Sequence, residues 1–127
     1  THVIGIIRFH SEQHYILDNE SGRNLAFGPS RMTLGAPLGG EGNVIIVAHN
    51  DTHFSELDTL KKGDIVEVEG LTQTTRYEVS EYAIVNETTV GILAPTEIAA
   101  LTLITCYPFK PSTLNSSQRY VVRALEM

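Results

Sequence analysis

Ala100-Leu101-Thr102-Leu103-Ile104-Thr105-Cys106-Tyr107-Pro108-Phe109 is a run of strand formers that carries the one cysteine of the chain. Period-two alternation puts Leu101, Leu103 and Thr105 on one face and Thr102, Ile104 and Cys106 on the other. Pro108 has no amide proton and blocks further ladder pairing, so the thiol is expected where strand gives way to loop. A cysteine on such a rim is a candidate nucleophile, provided that a base and an oxyanion partner come from elsewhere in the chain.

The segments around this run are also read as strands. Val44-Ile45-Ile46-Val47-Ala48 is rich in β-branched residues, as expected of a strand covered on both faces, and it ends on His49. Residues 119–125 form a closing strand that begins with arginine. Residues 3–9 and 14–17 read as strands ahead of the turn formers at 18–22, and residues 24–27 lead into Gly28-Pro29 without a helical pattern. Residues 35–43 are a glycine-rich loop. Residues 55–64 suit one or two short helical turns closed by Gly63. Residues 65–70 and 75–85 alternate about a short connection, which makes a hairpin with an acidic outer face. Pro95-Thr96-Glu97 is expected to start a short helix running through Ala99 and Ala100, and residues 111–118 form a polar loop. About eight short strands with one or two short helices point to an all-β fold, a closed eight-stranded barrel with no exposed sheet edge. At 127 residues the chain is expected to be one domain over 1–127.

Composition narrows the function classes. The net charge is −6 and no basic cluster exceeds Lys61-Lys62, which excludes an electrostatic nucleic-acid footprint. A lone cysteine forms no internal disulfide. The apolar runs fall far short of the ~20 residues that cross a bilayer. The sequence starts at Thr1 in strand-like residues, and a signal or anchor upstream of it is expected to have been removed.

Three chemically different residues stand at strand ends: His49, Cys106 and Arg119. If those strands are neighbours, the thiol can attack a carbonyl, the imidazole can protonate a departing amine, and the guanidinium can donate to the substrate or the oxyanion. The plainer readings are a buried inert cysteine, a histidine bonded to nearby backbone, and an arginine in a surface ion pair. Metal binding competes through His10-x-x-x-His14 and His49-x-x-x-His53. In extended chain that spacing separates side chains by roughly 13 Å. For calcium, the loop before Val44 offers only Glu41. No metal and no cofactor are expected.

With these residues in view, the chain resembles the sortases, cysteine transpeptidases of bacterial cell surfaces. Their T-L-x-T-C motif stands as Thr102-Leu103-Ile104-Thr105-Cys106. Their histidine segment is similar to Val47-Ala48-His49-Asn50-Asp51-Thr52-His53-Phe54, followed by Leu57, Leu60, Gly63 and Asp64 in a Leu-x-x-Leu-x-x-Gly-Asp pattern. Their last-strand arginine matches Arg119. The resemblance runs from about Gly28 to the C-terminus, and Cys106-Tyr107-Pro108-Phe109 looks like the class D and related sortases.

The resemblance implies a sortase-type barrel and cleavage of a signal similar to Leu-Pro-x-Thr-Gly between Thr and Gly. A thioacyl intermediate on Cys106 passes to an amine of a cell-wall peptide or another protein. His49 acts as general acid and then base, and Arg119 stabilises substrate and oxyanion. Val90, Ile92 and Leu93, with Ile104, are expected to wall the pocket for the signal's Leu and Pro. Thr105 is expected to add a hydroxyl or backbone donor beside the tetrahedral intermediate, and His53 to border the site or to hydrogen-bond the neighbouring loop. The enzyme is expected outside the cytoplasm, touching the membrane only through an N-terminal anchor. A barrel that mainly hydrolyses peptide, or one that binds it without turnover, is the alternative. Most relatives have Gly and often Arg where this chain has Ala48 and Asn50, so Asn50 reads as a positive charge lost near the thiol.

Overall fold

In the computed structural model, which describes residues 2–50, 52–107 and 117–127, alternation along the chain resolves into eight strands. The strands are β1 (Val3–Phe9), β2 (Glu12–Leu17), β3 (Ser30–Arg31), β4 (Asn43–Val47), β5 (Ile65–Glu69), β6 (Thr74–Asn86), β7 (Ala100–Tyr107) and β8 (Gln118–Glu126). They close into a barrel in the order β1-β2-β3-β4-β7-β8-β6-β5, and β5 pairs back to β1. The expected eight-stranded closed barrel is therefore the fold. Pro108, Phe109 and most of the polar loop expected at 111–118 lie outside the described residues.

Inward positions carry the core: Ile7, Phe9, Ile16, Val44, Ile46, Val66, Tyr77, Leu101, Leu103 and Val122 are buried together. Phe54, Leu57 and Leu60 plug the same core, with a short 3₁₀ turn at Leu57–Thr59 and Gly63 at φ +92° where the chain leaves toward β5. That conformation suits glycine, which has no Cβ to clash. Asp64 braces this corner by accepting the Lys61 amide at 2.9 Å, and its carboxylate lies 3.0 Å from His10 Nε2.

Two expectations are corrected. Residues 24–27 belong to a helix, α1 (Gly22–Phe27). Ser21 caps it by accepting the Asn24 amide, and the buried Asn24 side chain donates to Asp18 and to Asn19. Six residues are too few to display a 3.6-residue period, so the capping serine was its one readable sign. The short helix expected from Pro95 is not formed. The helical turn lies earlier, as 3₁₀ at Val90–Leu93, and the Ala100 amide donates to Gly42 at 2.9 Å. That bond draws Ala100 into the β4–β7 ladder, and a few residues of helix propensity cannot outweigh strand pairing.

The strand that the sequence reading starts from sits mid-sheet, with β4 parallel on one side and β8 antiparallel on the other. Its inward residues Leu101 and Leu103 join the core. Its outward Ile104 packs in a second cluster with Ile45 and Val121, against Met32, Val47, Ile92 and Leu93. Both faces of β4 are thus covered, as its unbroken apolar run implied.

Candidate active site

Strand register decides which polar residues meet. Cys106 and Arg119 are direct cross-strand partners of β7 and β8. On the other flank, β4 pairs with β7 up to Val47 opposite Ile104, so His49 follows on in line with Cys106. Past the end of β4 the chain stays fastened to β7 by bonds on both sides of His49. The Ala48 amide donates to Ile104 O at 3.2 Å, the Thr105 hydroxyl donates to Ala48 O at 2.7 Å, and Asn50 Nδ2 donates to Cys106 O at 2.9 Å. His49 itself is exposed between two buried neighbours.

Cys106 is a free, partly exposed thiol on the wall of a cleft of about 190 Å³. Leu25, Val47, Ala48, His49, Ile104, Thr105 and Arg119 complete the lining. All three residues singled out at strand ends therefore share one cleft. The Arg119 guanidinium donates to Gln118 O at 2.9 Å and to Glu87 Oε2 at 3.1 Å, which points it along the rim. Behind the thiol, Tyr107 stacks on Tyr120 with centroids 6.2 Å apart, and burial pushes the Tyr120 phenol up. A nucleophile, an imidazole and a cation facing one partly desolvated cleft can carry acyl transfer.

A second, apolar groove of about 200 Å³ adjoins the cleft and shares Val47, Ile104 and Arg119 with it. Met32, Ile92 and Leu93 form its remaining apolar walls, and Asn86, Glu87 and Thr89 its rim. Of the expected wall residues, Ile92, Leu93 and Ile104 meet here, whereas Val90 is 68% exposed and lies outside the lining. Met32 and Val47 were not anticipated. For Val47 the signal was present, because it alternates with Ile45 on the outward face of β4.

Thr105 is 3% exposed and its hydroxyl proton is committed to Ala48 O. Asn50 is likewise 6% exposed and holds the cysteine carbonyl. Its part is therefore a backbone strut, in addition to the positive charge it lacks. His53 does not line the Cys106 cleft. It lies edge-on to His14, centroids 5.5 Å apart, at a separate cavity beside Tyr15 and Phe27.

The family model described as the Sortase domain matches residues 4–127. No curated protein matches the chain. Among solved structures, the chain is similar to the pilus-related sortase C of Group B Streptococcus, at 26% identity and a TM-score of 0.88, covering 98% of this chain and 67% of that one. Sortase C-1 from Actinomyces oris gives 28% identity and a TM-score of 0.89, over 98% and 73% of the two chains. Sortase A of Listeria monocytogenes gives 25% and 0.88, over 98% and 87%. These are class C and class A sortases, and the class D likeness rests on Cys106-Tyr107-Pro108-Phe109 alone.

Proposed function

The chain belongs to the sortase family, and from that premise we propose that it is a cysteine transpeptidase that cuts a signal similar to Leu-Pro-x-Thr-Gly between Thr and Gly. The observation that carries this reading is the single cleft lined by Cys106, His49 and Arg119. The thiolate of Cys106 attacks the Thr carbonyl carbon, and Arg119 donates to the oxygen as charge develops on it. The C–N bond breaks, and imidazolium His49 gives its proton to the departing Gly nitrogen. This leaves a thioester on Cys106 and a neutral His49. An acceptor amine then loses a proton to His49, attacks the thioester and expels the thiolate, which restores the starting charges.

The acceptor is an amine of a cell-wall peptide or of another protein, and the whole of residues 1–127 acts as one catalytic domain. An N-terminal anchor would hold that domain outside the cytoplasm. Among the described residues no helix is long and apolar enough to cross a membrane. The apolar groove supports binding of the signal's Leu and Pro beside the scissile bond, with Ile92, Leu93 and Ile104 as walls.

A fluorogenic Leu-Pro-x-Thr-Gly peptide, incubated with and without an added amine, tests the proposal. Joined product supports transpeptidation. Cleaved product alone, in the presence of amine, would reassign the barrel as a hydrolase, and binding without turnover would make it a receptor for peptide. Cys106→Ala should abolish turnover of either kind and leave the fold intact.

A further inference from the structure

Thr102, the first residue of the motif that ends in Cys106, has no part in the chemistry above. It is nonetheless fully buried on the outward face of β7, in the same row as Ile104 and Cys106. Its hydroxyl sits in a closed circuit of directional bonds. Arg123 Nε donates to Thr102 Oγ1 at 2.9 Å, and Thr102 Oγ1 donates to Asn43 Oδ1 at 2.6 Å. Asn43 Nδ2 donates to Ile92 O at 3.0 Å and to Ala94 O at 3.1 Å, and Arg123 Nη2 returns to Ile92 O at 3.0 Å. The hydroxyl is used once as donor and once as acceptor, and both amide protons of Asn43 are engaged, so each bond fixes the direction of the next.

The circuit ends on the carbonyls of Ile92 and Ala94, which flank the side chains of Ile92 and Leu93 that wall the apolar groove. Among the described residues, few other bonds fasten that segment to the barrel. Its own 3₁₀ turn is local, and Val90, Ala94 and Pro95 are exposed. Successive outward positions along β7 are about 7 Å apart, so Thr102, Ile104 and Cys106 stand in line as anchor, groove floor and thiol. The matching outward row of β8 is Arg123, Val121 and Arg119.

We propose that Asn43, Thr102 and Arg123 are positioning residues that latch the 90–94 segment onto the barrel and thereby set which apolar side chain the groove accepts. The inference rests on the groove's role in the proposed function, and it assigns the specificity of that groove to three residues that touch no substrate.

Thr102→Val keeps shape and removes the hydroxyl, leaving Arg123 Nε–H and Asn43 Oδ1 without their bonds. The expected result is a KM for the signal peptide raised about tenfold with kcat within about twofold, as for a loss of ground-state positioning. Preference for Leu over Ala at the signal's first position should shrink by a similar factor. Amide hydrogen exchange should accelerate in residues 88–96 and stay slow in β7. Alkylation of Cys106 by iodoacetamide should be unchanged, and Thr102→Ser should restore all of these readouts. Should Thr102→Val fail to fold, Arg123→Gln, at a half-buried rim position, is measured in the same way. A folded variant with the wild-type KM and the wild-type Leu preference overturns the latch. If the wild-type protein turns over no peptide, the proposed function fails, and the latch is judged on exchange in 88–96 and on the affinity of Leu and Ala peptides.

Discussion

Asn50 is where one residue carries the most geometry. Its amide holds the Cys106 carbonyl, while Ala48 on the other side of His49 is bonded to Ile104 and Thr105, so imidazole and thiol are held by a common set of struts. Asn50→Ala should cost about 1–2 kcal/mol of stability, because it strips a partner from a partly buried carbonyl, and chemical denaturation measures that loss. Its kcat should fall by about tenfold or more, since small misplacements of reacting groups slow catalysis steeply. Asn50→Asp, which cannot donate that bond, should resemble the alanine variant; wild-type kcat in both would remove Asn50 from the account. The sequence made His49, Cys106 and Arg119 visible because each stands at the end of a recognisable strand. It hid the part played by Asn50, because its bonding partner lies 56 residues away, across a parallel pairing that no local pattern encodes. The hydroxyl of Thr105 is hidden for the same reason: the acceptor that engages its proton, Ala48 O, lies 57 residues away.

Strands were legible where alternation was clean and one face met the core, as in β1, β5 and β7. Short elements were not. The helix at Gly22–Phe27 offers Ser21 as a cap and little else, and Pro95 suggested a helix that the β4–β7 ladder pre-empts. In β6 the register shifts between Val79 and Glu81, which breaks the alternation: Tyr82 and Ile84 then pair with the inward Val122 and Tyr120, yet both stay partly exposed. The connection from the 3₁₀ turn into β5 yields a prediction in pH. The Lys61 amide and then His10 hold the Asp64 carboxyl below its ordinary value, against a smaller opposing cost of burial. A carboxyl with a depressed folded pKa adds stability above its unfolded pKa and loses it as pH falls through the folded one. The advantage of the wild type over Asp64→Asn should therefore be full above about pH 5 and fade below about pH 4. Urea midpoints measured from pH 2 to 7 check this, and a constant gap between the two proteins would contradict it.

At the scale of the whole molecule, the barrel serves as a frame with the core inside and the groove outside. β7 connects the two, with Leu101 and Leu103 in the core and Thr102, Ile104 and Cys106 outward. Tyr77 is a chemical misfit in the core. The Tyr77 hydroxyl is buried with no hydrogen-bond partner among the described residues, and burial, with Glu126 adding to it, pushes the phenol up to about 12. Tyr77→Phe removes only that orphaned group, so it should leave stability unchanged or raise it by about 1 kcal/mol. Tyr77→Ala should cost about 3–5 kcal/mol through the cavity it opens, and thermal melts of both variants distinguish polar loss from packing loss. This misfit is invisible in the sequence, because period-two patterning assigns Tyr77 to the inside without locating its hydroxyl. The central claim is that the fold makes Cys106 the acylated residue, and acid quenching during turnover of a Leu-Pro-x-Thr-Gly peptide, followed by mass spectrometry of the protein, tests it most directly. The expected species carries the Leu-Pro-x-Thr acyl fragment on Cys106 and disappears when amine is added. Peptide cleavage with no adduct at Cys106, or cleavage that persists in Cys106→Ala, would contradict the account.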